Sequence, residues 1–414
     1  MRAIVLNTGT ELLLGDVQDA HLAFIARQIF PLGLRIVERR TVSDGVAIRR
    51  TLVEIFSRAE ILFVTGGLGP TTDDVTREEA AELLGLKLIR DPEVMSAILE
   101  RFATRGIPFT ARVERQAFVP AGAKVLGNES GTAPGLYLRA NLNPNIRSPH
   151  LFLLPGPPRE LQPMFERSVM PILHSIVLPS KALECRIYRV TGIGESLVEE
   201  AIGERISAIS GVELGYCSRP GDVDVRIIGE SSPLERADKI IRTTLGDSIY
   251  STNEAALEKV IIQLLTKRKE TLALAESCTG GLLANRITNM PGASAVLLAG
   301  YVVYSNEAKI DALGVDLKLI ERYGAVSEPV ACAMAEGVRM RARSTYALST
   351  TGIAGPTGGL PGKPVGTVYV ALASLDQTIA RKFFFPSDRE TFNELAAQAA
   401  FDLLRKKLIS RSNQ

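Results

Sequence analysis

Residues Thr271–Thr288 read TLALAESCTGGLLANRIT. An apolar strand candidate, Thr271–Ala275, runs through Glu276-Ser277-Cys278-Thr279-Gly280-Gly281 into a helical pattern over Gly281–Thr288. Two glycines let the chain turn tightly from one into the other. Outward from this stretch the alternation continues. Strand patterns at Val296–Tyr304, Tyr346–Thr350 and Gly366–Ala373 are interleaved with helical patterns at Ala255–Lys267, Glu307–Leu313, Pro329–Arg341 and Thr391–Ile409. The amino-terminal part has the same grammar. Strands are predicted at Ala3–Leu6, Leu34–Val37, Ile61–Val64 and Leu151–Leu154, and helices at His21–Phe30, Ile48–Ser57, Val75–Leu84 and Arg159–Phe165. Such a rhythm predicts parallel sheets with helices on both faces, and sites at the carboxyl ends of their strands.

Between the two runs the texture changes near Pro179: strands Arg186–Val190 and Val223–Ile228 flank a helix over Ser196–Ile206. The chain therefore divides into 1–177, 178–252 and 253–414, with Ser251-Thr252-Asn253 as the second hinge. The expected fold class is α/β: two doubly wound α/β domains joined by a small α+β module.

Composition narrows the chemistry. The 414 residues are 46% hydrophobic and 23% charged, enough for a sizeable core in each domain. Lys+Arg 48 against Asp+Glu 46 leaves +2, so no global basic field points to nucleic acid or a membrane surface. The longest apolar stretch, near Val296–Tyr304, is far short of a spanning helix, and no secretory leader pattern opens the chain. Cys185, Cys217, Cys278 and Cys332 are widely spaced with no C-x-x-C pair, which excludes a zinc ribbon and fits a reducing cytoplasm. The three histidines, His21, His150 and His174, all precede residue 175. A hydrolytic site in the carboxyl-terminal domain must then work without an imidazole of its own.

Ser277 and Cys278 stand at the end of a strand, beside the amides of a helix amino terminus that would hold an anion. Thr279 adds a hydroxyl or simply caps the turn. At the next junction, Tyr304-Ser305-Asn306-Glu307-Ala308-Lys309, Asn306 is the expected cap and Lys309 falls in the first helical turn. There the helix dipole and burial both favour a neutral amine, which is what a lysine base requires to activate a serine hydroxyl. A solvated surface lysine is the alternative. Thr350-Thr351-Gly352-Ile353-Ala354-Gly355-Pro356 offers a second glycine-rich loop, and Ser387-Asp388-Arg389-Glu390 reads as a capping box that sets Arg389 in a first turn.

In the first domain, Gly9–Asp16, Ser43-Asp44 and Thr65–Thr76 put acids and glycines at three successive strand ends. A glycine-rich turn opening a helix suits phosphate, but the carboxylates would repel it. A divalent cation, Mg²⁺ or Co²⁺, resolves that conflict by bridging the two. The alternative makes these acids helix caps and solvated turn residues.

Taken together, Ala275–Gly281 (AESCTGG), Tyr304–Lys309 (YSNEAK), Gly324–Glu328 (GAVSE), Thr351–Pro356 (TGIAGP) and Lys363–Val368 (KPVGTV) resemble the nicotinamide-nucleotide amidohydrolase family. The resemblance implies hydrolysis of the carboxamide of nicotinamide mononucleotide to nicotinate mononucleotide and ammonia, with no cofactor. It implies Ser277 as nucleophile and Lys309 as base, with Tyr304 and Thr351 positioning substrate or proton. Thr279, Gly280, Gly281, Gly352, Gly355 and Arg389 would bind substrate. Family members often carry a second arginine after the one matching Arg389, where this chain has Thr391-Phe392-Asn393. Cys278 is the rival nucleophile, but neighbours on a turn point in different directions.

The first domain, with Gly131–Gly135 (GTAPG) and Leu154–Glu160 (LPGPPRE), resembles the molybdopterin-binding-like domain of the competence/damage-inducible CinA family, whose domain order the whole chain follows. That resemblance implies a metal-dependent ADP-ribose pyrophosphatase yielding AMP and ribose 5-phosphate. Glu11, Asp44, Asp73 and Asp74 would be the metal positions, with Gly66, Gly67 and Gly69 around phosphate. Ala20-His21 replaces the usual Thr-Asn, and His21 is expected to pack rather than face ligand. The middle module resembles a KH domain. Its Thr191-Gly192-Ile193-Gly194-Glu195 lacks the nucleotide-gripping G-x-x-G, and Glu199, Glu200 and Glu204 make the field acidic, so a spacer or dimer-forming role is expected. The expected assembly is a homodimer.

Overall fold

The computed structural model describes residues 1–106, 108–177 and 183–410. The expected domain boundary at 178 falls outside the described residues. The chain forms two compact units, Met1–Leu183 and Glu184–Gln414.

In the first unit, β1 (Arg2–Thr8), β2 (Arg35–Val42), β3 (Ile61–Thr65), β6 (Lys124–Leu126), β7 (Gly135–Leu138) and β8 (His150–Leu154) form one sheet in the order β2-β1-β3-β8-β7-β6. The separate pair β4 (Leu88–Arg90) and β5 (Phe118–Pro120) lies outside it. β2, β1, β3 and β8 run parallel, whereas β7 and β6 are antiparallel. β3 is buried at every position, the signature of a strand covered on both faces. One core (Leu6, Leu52, Val64, Leu153) fills one face of this sheet, and a second (Val5, Ile25, Phe63, Phe165) fills the other.

The second unit opens with a four-stranded antiparallel sheet of β9 (Glu184–Thr191), β10 (Val212–Arg219), β11 (Asp222–Gly229) and β12 (Ile249–Ser251), ordered β10-β11-β9-β12. The helices Glu195–Ser207 and Ser231–Leu245 bury Val198, Ile202, Leu234 and Ile241 against it. There follows a five-stranded sheet of β13 (Leu272–Glu276), β14 (Leu297–Val302), β15 (Tyr346–Gly352), β16 (Thr367–Ala373) and β17 (Thr378–Phe384), ordered β14-β13-β15-β16-β17. β14, β13 and β15 are parallel, and β16 and β17 are antiparallel. Helices Leu257–Arg268 and Arg389–Ser410 cover one face, and Glu328–Ala342 covers the other.

The α/β class and its doubly wound domains are thus present, but each large sheet carries an antiparallel flank that a purely parallel reading does not contain. Hairpin-linked strands need no crossover helix, so they leave no β-α-β rhythm in the sequence. β10 and β17, and the helices Pro92–Arg105, Ser231–Leu245 and Leu317–Tyr323, are elements beyond those predicted. None of the helices among the described residues is long and apolar enough to cross a membrane.

One contact decides where the site helix sits. Gly337, buried in Glu328–Ala342, lies so close to the end of the helix Asn306–Leu313 that a Cβ there would be 2.2 Å from the Leu313 carbonyl oxygen. Gly337→Ala should therefore lower the unfolding free energy by about 1–3 kcal/mol, because backbone rather than a flexible side chain must move. Urea denaturation followed by circular dichroism measures it.

Candidate active site

The carboxyl ends of β13, β14 and β15 bring together the residues of the second domain's motifs. In register, Glu276 pairs with Val302 on one side and Thr350 on the other. Ser277 donates its backbone N–H to the Thr350 carbonyl, and Val303 donates to the Glu276 carbonyl. The nucleophile candidate therefore leaves a central strand pinned from both neighbours.

Glu276 is 1% exposed, and its carboxylate is the hub of the loop. Oε2 accepts from the Thr279 hydroxyl at 2.8 Å and from the N–H groups of Gly281 and Leu283 at 3.0 Å. Oε1 accepts from the Ala284 N–H at 2.9 Å. These are the otherwise unpaired amides at the start of the helix Leu282–Thr288. A buried carboxylate is tolerable here because four donors and the positive helix end meet it. The expectation that this helix end, with Thr279 and Gly281, holds a substrate phosphate is thereby corrected: the protein's own carboxylate already fills it. Thr279 is further tied to the Thr350 hydroxyl at 2.7 Å. Gly280, at φ 60°, has open space where a Cβ would stand.

The Ser277 hydroxyl is nearly buried and makes no hydrogen bond among the described residues. Its neighbour Cys278 is buried, and burial pushes the thiol up to about 12. A thiol held neutral by burial loses the usual advantage of cysteine as a nucleophile.

Lys309 is 2% exposed and lies in the helix Asn306–Leu313. Its ammonium donates to the carbonyls of Val303 at 2.9 Å, Tyr304 at 3.1 Å and Ser305 at 3.3 Å. Three carbonyls satisfy the three donors of a charged lysine. Burial pulls its pKa down from the ordinary lysine value, while Cys278 and Glu307 oppose that pull. Lys309 is therefore no solvated surface lysine, but it is not hydrogen-bonded to Ser277 either. The cap of its helix is Ser305, whose hydroxyl accepts from the Ala308 N–H at 3.1 Å, and not Asn306. The Tyr304 side chain is 64% exposed and points away from a buried role.

The remaining second-domain residues turn out to shape loops. The Thr351 hydroxyl donates to the Ala325 carbonyl at 2.9 Å, tying β15 to the GAVSE segment. Arg389 donates through Nε at 3.0 Å and Nη2 at 2.6 Å to the Gly355 carbonyl, which braces the turn before the cis Gly355–Pro356 bond. Gly352 packs where a Cβ would sit 3.0 Å or less from Thr367, Val368 and Phe392. The helix Arg389–Ser410 is capped by Asp388, whose carboxylate accepts from the Thr391 N–H at 3.0 Å. The predicted capping box with Ser387 is absent, and the Ser387 hydroxyl is buried without a partner.

In the first domain a cavity of about 360 Å³ collects every residue singled out there: Glu11, Asp44, Gly66, Gly67, Gly69, Asp73 and Asp74. Glu160, Thr8 and Gln116 also line it and were not singled out from the sequence, although Glu160 closes the LPGPPRE motif. Asp44 accepts from the Thr10 N–H at 3.0 Å and its hydroxyl at 3.1 Å. Asp74 accepts from the Thr71 N–H at 3.0 Å. Exposed Asp73 has its pKa lowered chiefly by the Thr71 hydroxyl. No group of three His, Cys, Asp or Glu side chains among the described residues is placed to hold a metal. The glycines make room for protein rather than for an empty cradle: a Cβ on Gly66 would meet the Thr8 carbonyl oxygen at 2.5 Å, and one on Gly67 the Thr76 hydroxyl at 2.1 Å. His21 is buried, its Nδ1 has no hydrogen-bond partner among the described residues, and burial lowers its pKa.

The fold and these two strand-end clusters define a composite protein: two doubly wound α/β domains, each with a polar cluster at its strand ends, and a KH-like module between them in sequence. Residues 4–175 match the family model described as "Probable molybdopterin binding domain", 185–251 the CinA KH domain, and 254–408 the CinA C-terminal domain. The chain belongs to the CinA family. It is 42% identical over 401 residues to a CinA-like protein of Akkermansia muciniphila, covering 97% of this chain and 96% of that one. A CinA-like protein of Dictyoglomus thermophilum is 39% identical over 418 residues, covering 99% and 100%. Among solved structures, a competence/damage inducible protein from Agrobacterium tumefaciens shares 37% identity over 36% of this chain and 92% of its own, with a TM-score of 0.36.

Glu276→Ala leaves the Gly281, Leu283 and Ala284 amides without their acceptor. It should cost about 2–4 kcal/mol of unfolding free energy in urea titration, with Glu276→Gln losing less. Iodoacetamide at about pH 8 should label exposed Cys185 and Cys217 and spare Cys278, as read by peptide mass spectrometry.

Proposed function

We propose that the carboxyl-terminal domain hydrolyses the carboxamide of nicotinamide mononucleotide, with Ser277 as nucleophile. The observations that carry the reading are a serine hydroxyl without a hydrogen bond just after β13 and a desolvated lysine in the helix that follows the adjoining β14. Ser277 Oγ attacks the carboxamide carbon and passes its proton to the Lys309 amine. The C–N bond then breaks, and ammonia leaves with a proton returned by Lys309. Water cleaves the resulting acyl ester and releases the nicotinate carboxylate. To accept a proton, Lys309 must be neutral and must release one carbonyl; Ser305, at 3.3 Å, is the weakest hold. With the helix amides taken by Glu276, substrate phosphate falls to other donors, and Arg389 beside the Gly355 turn is a charged candidate in the motif set. Tyr304, exposed beside the helix that carries Lys309, would contact the substrate only from outside.

In the first domain the proposed ligand is ADP-ribose with a divalent cation, Mg²⁺ or Co²⁺. The carboxylates fit a cation that arrives with the diphosphate, since Mg²⁺ commonly takes only one or two protein carboxylates besides phosphate oxygens. Buried Gln116 Oε1, on the cavity wall, lacks a partner among the described residues, which suits a polar ligand. The engagement of Asp44 and Asp74 by threonines favours a second reading, in which this domain binds a nucleotide or pterin without cleaving it. The proposal includes a cytoplasmic homodimer.

Ser277→Ala should abolish ammonia release from nicotinamide mononucleotide while Cys278→Ala keeps most of it; the opposite result rejects the assignment. The base form of Lys309 grows as pH rises through its folded pKa, which burial has lowered. The rate should therefore climb with pH and level off below the ordinary lysine value of about 10.4, and Lys309→Met should lose both rate and limb. AMP released from ADP-ribose with Mg²⁺ or Co²⁺ separates cleavage from mere binding in the first domain.

A further inference from the structure

A cavity of about 1000 Å³ lies within the second unit, and it shares no lining residue with the Ser277–Lys309 cluster. Its walls follow from two periodicities. Alternate residues of β17 and its extension, Ile379, Arg381, Phe383 and Phe385, face it from one strand side. Leu395, Ala399 and Leu403 recur every four residues along the helix Arg389–Ser410 and form the adjoining stripe. Opposite stand the Thr191–Gly194 loop and the turn between β10 and β11.

The floor is a fixed seam. A Cβ on Gly221 would lie 2.7 Å from Gln398 Cγ, so this turn is pressed onto the helix. Gln398 donates to Asp222 at 2.8 Å, Tyr250 donates to the same carboxylate at 2.8 Å, and Arg405 donates to the Asp247 carbonyl at 2.6 Å. The acids at the cavity are thus already matched: Asp222 by these donors, and Asp402 by Arg405 and Lys406. Arg219 is paired with Asp224. Two cations remain. Among the described residues, Arg381 and the Lys407 ammonium have no ion-pair or hydrogen-bond partner.

We propose that this cavity binds an amphipathic anion, an apolar chain or ring system carrying one carboxylate or phosphate head. Its volume is at the upper end of the ~300–1,000 Å³ usual for small-molecule sites. The stacked Phe383 and Phe385 rings, 5.6 Å apart, supply apolar surface that is only half buried. The two unmatched cations select a negative head over a neutral or positive one. A bound ligand touches both the antiparallel module and the helix that closes the second domain, so it adds to the seam between them.

Isothermal titration of the full chain with decanoate tests this, with acetate and decan-1-ol as controls lacking the tail and the head. Saturable binding of decanoate, one per chain, and at least about tenfold tighter than decan-1-ol, is expected. Arg381→Gln with Lys407→Gln should remove that preference without changing the melting curve, since both side chains lack partners among the described residues. Ala399→Trp, which fills the trough, should abolish binding of both chain compounds. Decanoate binding no tighter than decan-1-ol, or unchanged in the double variant, overturns the proposal whatever the tryptophan variant does.

Discussion

The Glu276 carboxylate sits where β13 stops and the helix Leu282–Thr288 begins, and the carboxyl-terminal cluster is arranged around it. Four donors converge on its two oxygens, so the loop between strand and helix has little freedom. Its backbone is held from the two adjoining strands, through Thr350 on one side and Val303 on the other. With Thr279 drawn inward to Glu276 and Thr350, Ser277 is left as the hydroxyl of this turn without a partner. One electrostatic requirement, a buried negative charge needing donors, thereby organises a strand end, a helix start and the neighbouring threonines.

The same requirement distinguishes the two strand-end clusters. In the second domain the helix-end donors are consumed internally, so they are not open to an external anion. In the first domain the acids remain at the cavity wall and are only partly engaged by Thr10 and Thr71. Such an excess of negative charge around a glycine loop is compatible with phosphate only if a cation accompanies it. Lys309 is the counterpart of Glu276 with reversed sign: a buried cation whose three protons meet three carbonyls of its own helix entry. Its burial depends on how near the neighbouring helix comes, and Gly337 permits that approach.

Much of this architecture was legible from hydrophobic pattern. The strands buried on both faces, β3 and β13 among them, are continuous apolar runs ended by glycine turns, and they lie where the pattern predicts. Of the antiparallel flanks, only β16 was found as a strand, and its direction was not legible. β6 and β7 have three and four residues, too few for a period to emerge. β17 mixes Arg381 and Lys382 among its apolar residues because it is an edge strand. Site residues divide in the same way. The acids and glycines of the first domain were found as a set, since all fall at strand ends of one sheet. Glu160 was missed because it reaches the cavity from a later helix. The caps Ser305 and Asp388 lie next to the residues expected in those roles; which neighbour caps is decided by backbone dihedrals that composition does not reveal.

By itself the sequence determined the α/β class, the order of the parts, the absence of histidine beyond residue 174 and the family, because these depend on local period, residue type and motif. Only the tertiary structure decided that Glu276 fills the helix end, that Lys309 is caged by carbonyls rather than bonded to Ser277, and that Arg389 braces the Gly355 turn. Each of those outcomes is a competition among several donors for a few acceptors. Its winner depends on distances that exist only after strands and helices distant in sequence have packed together.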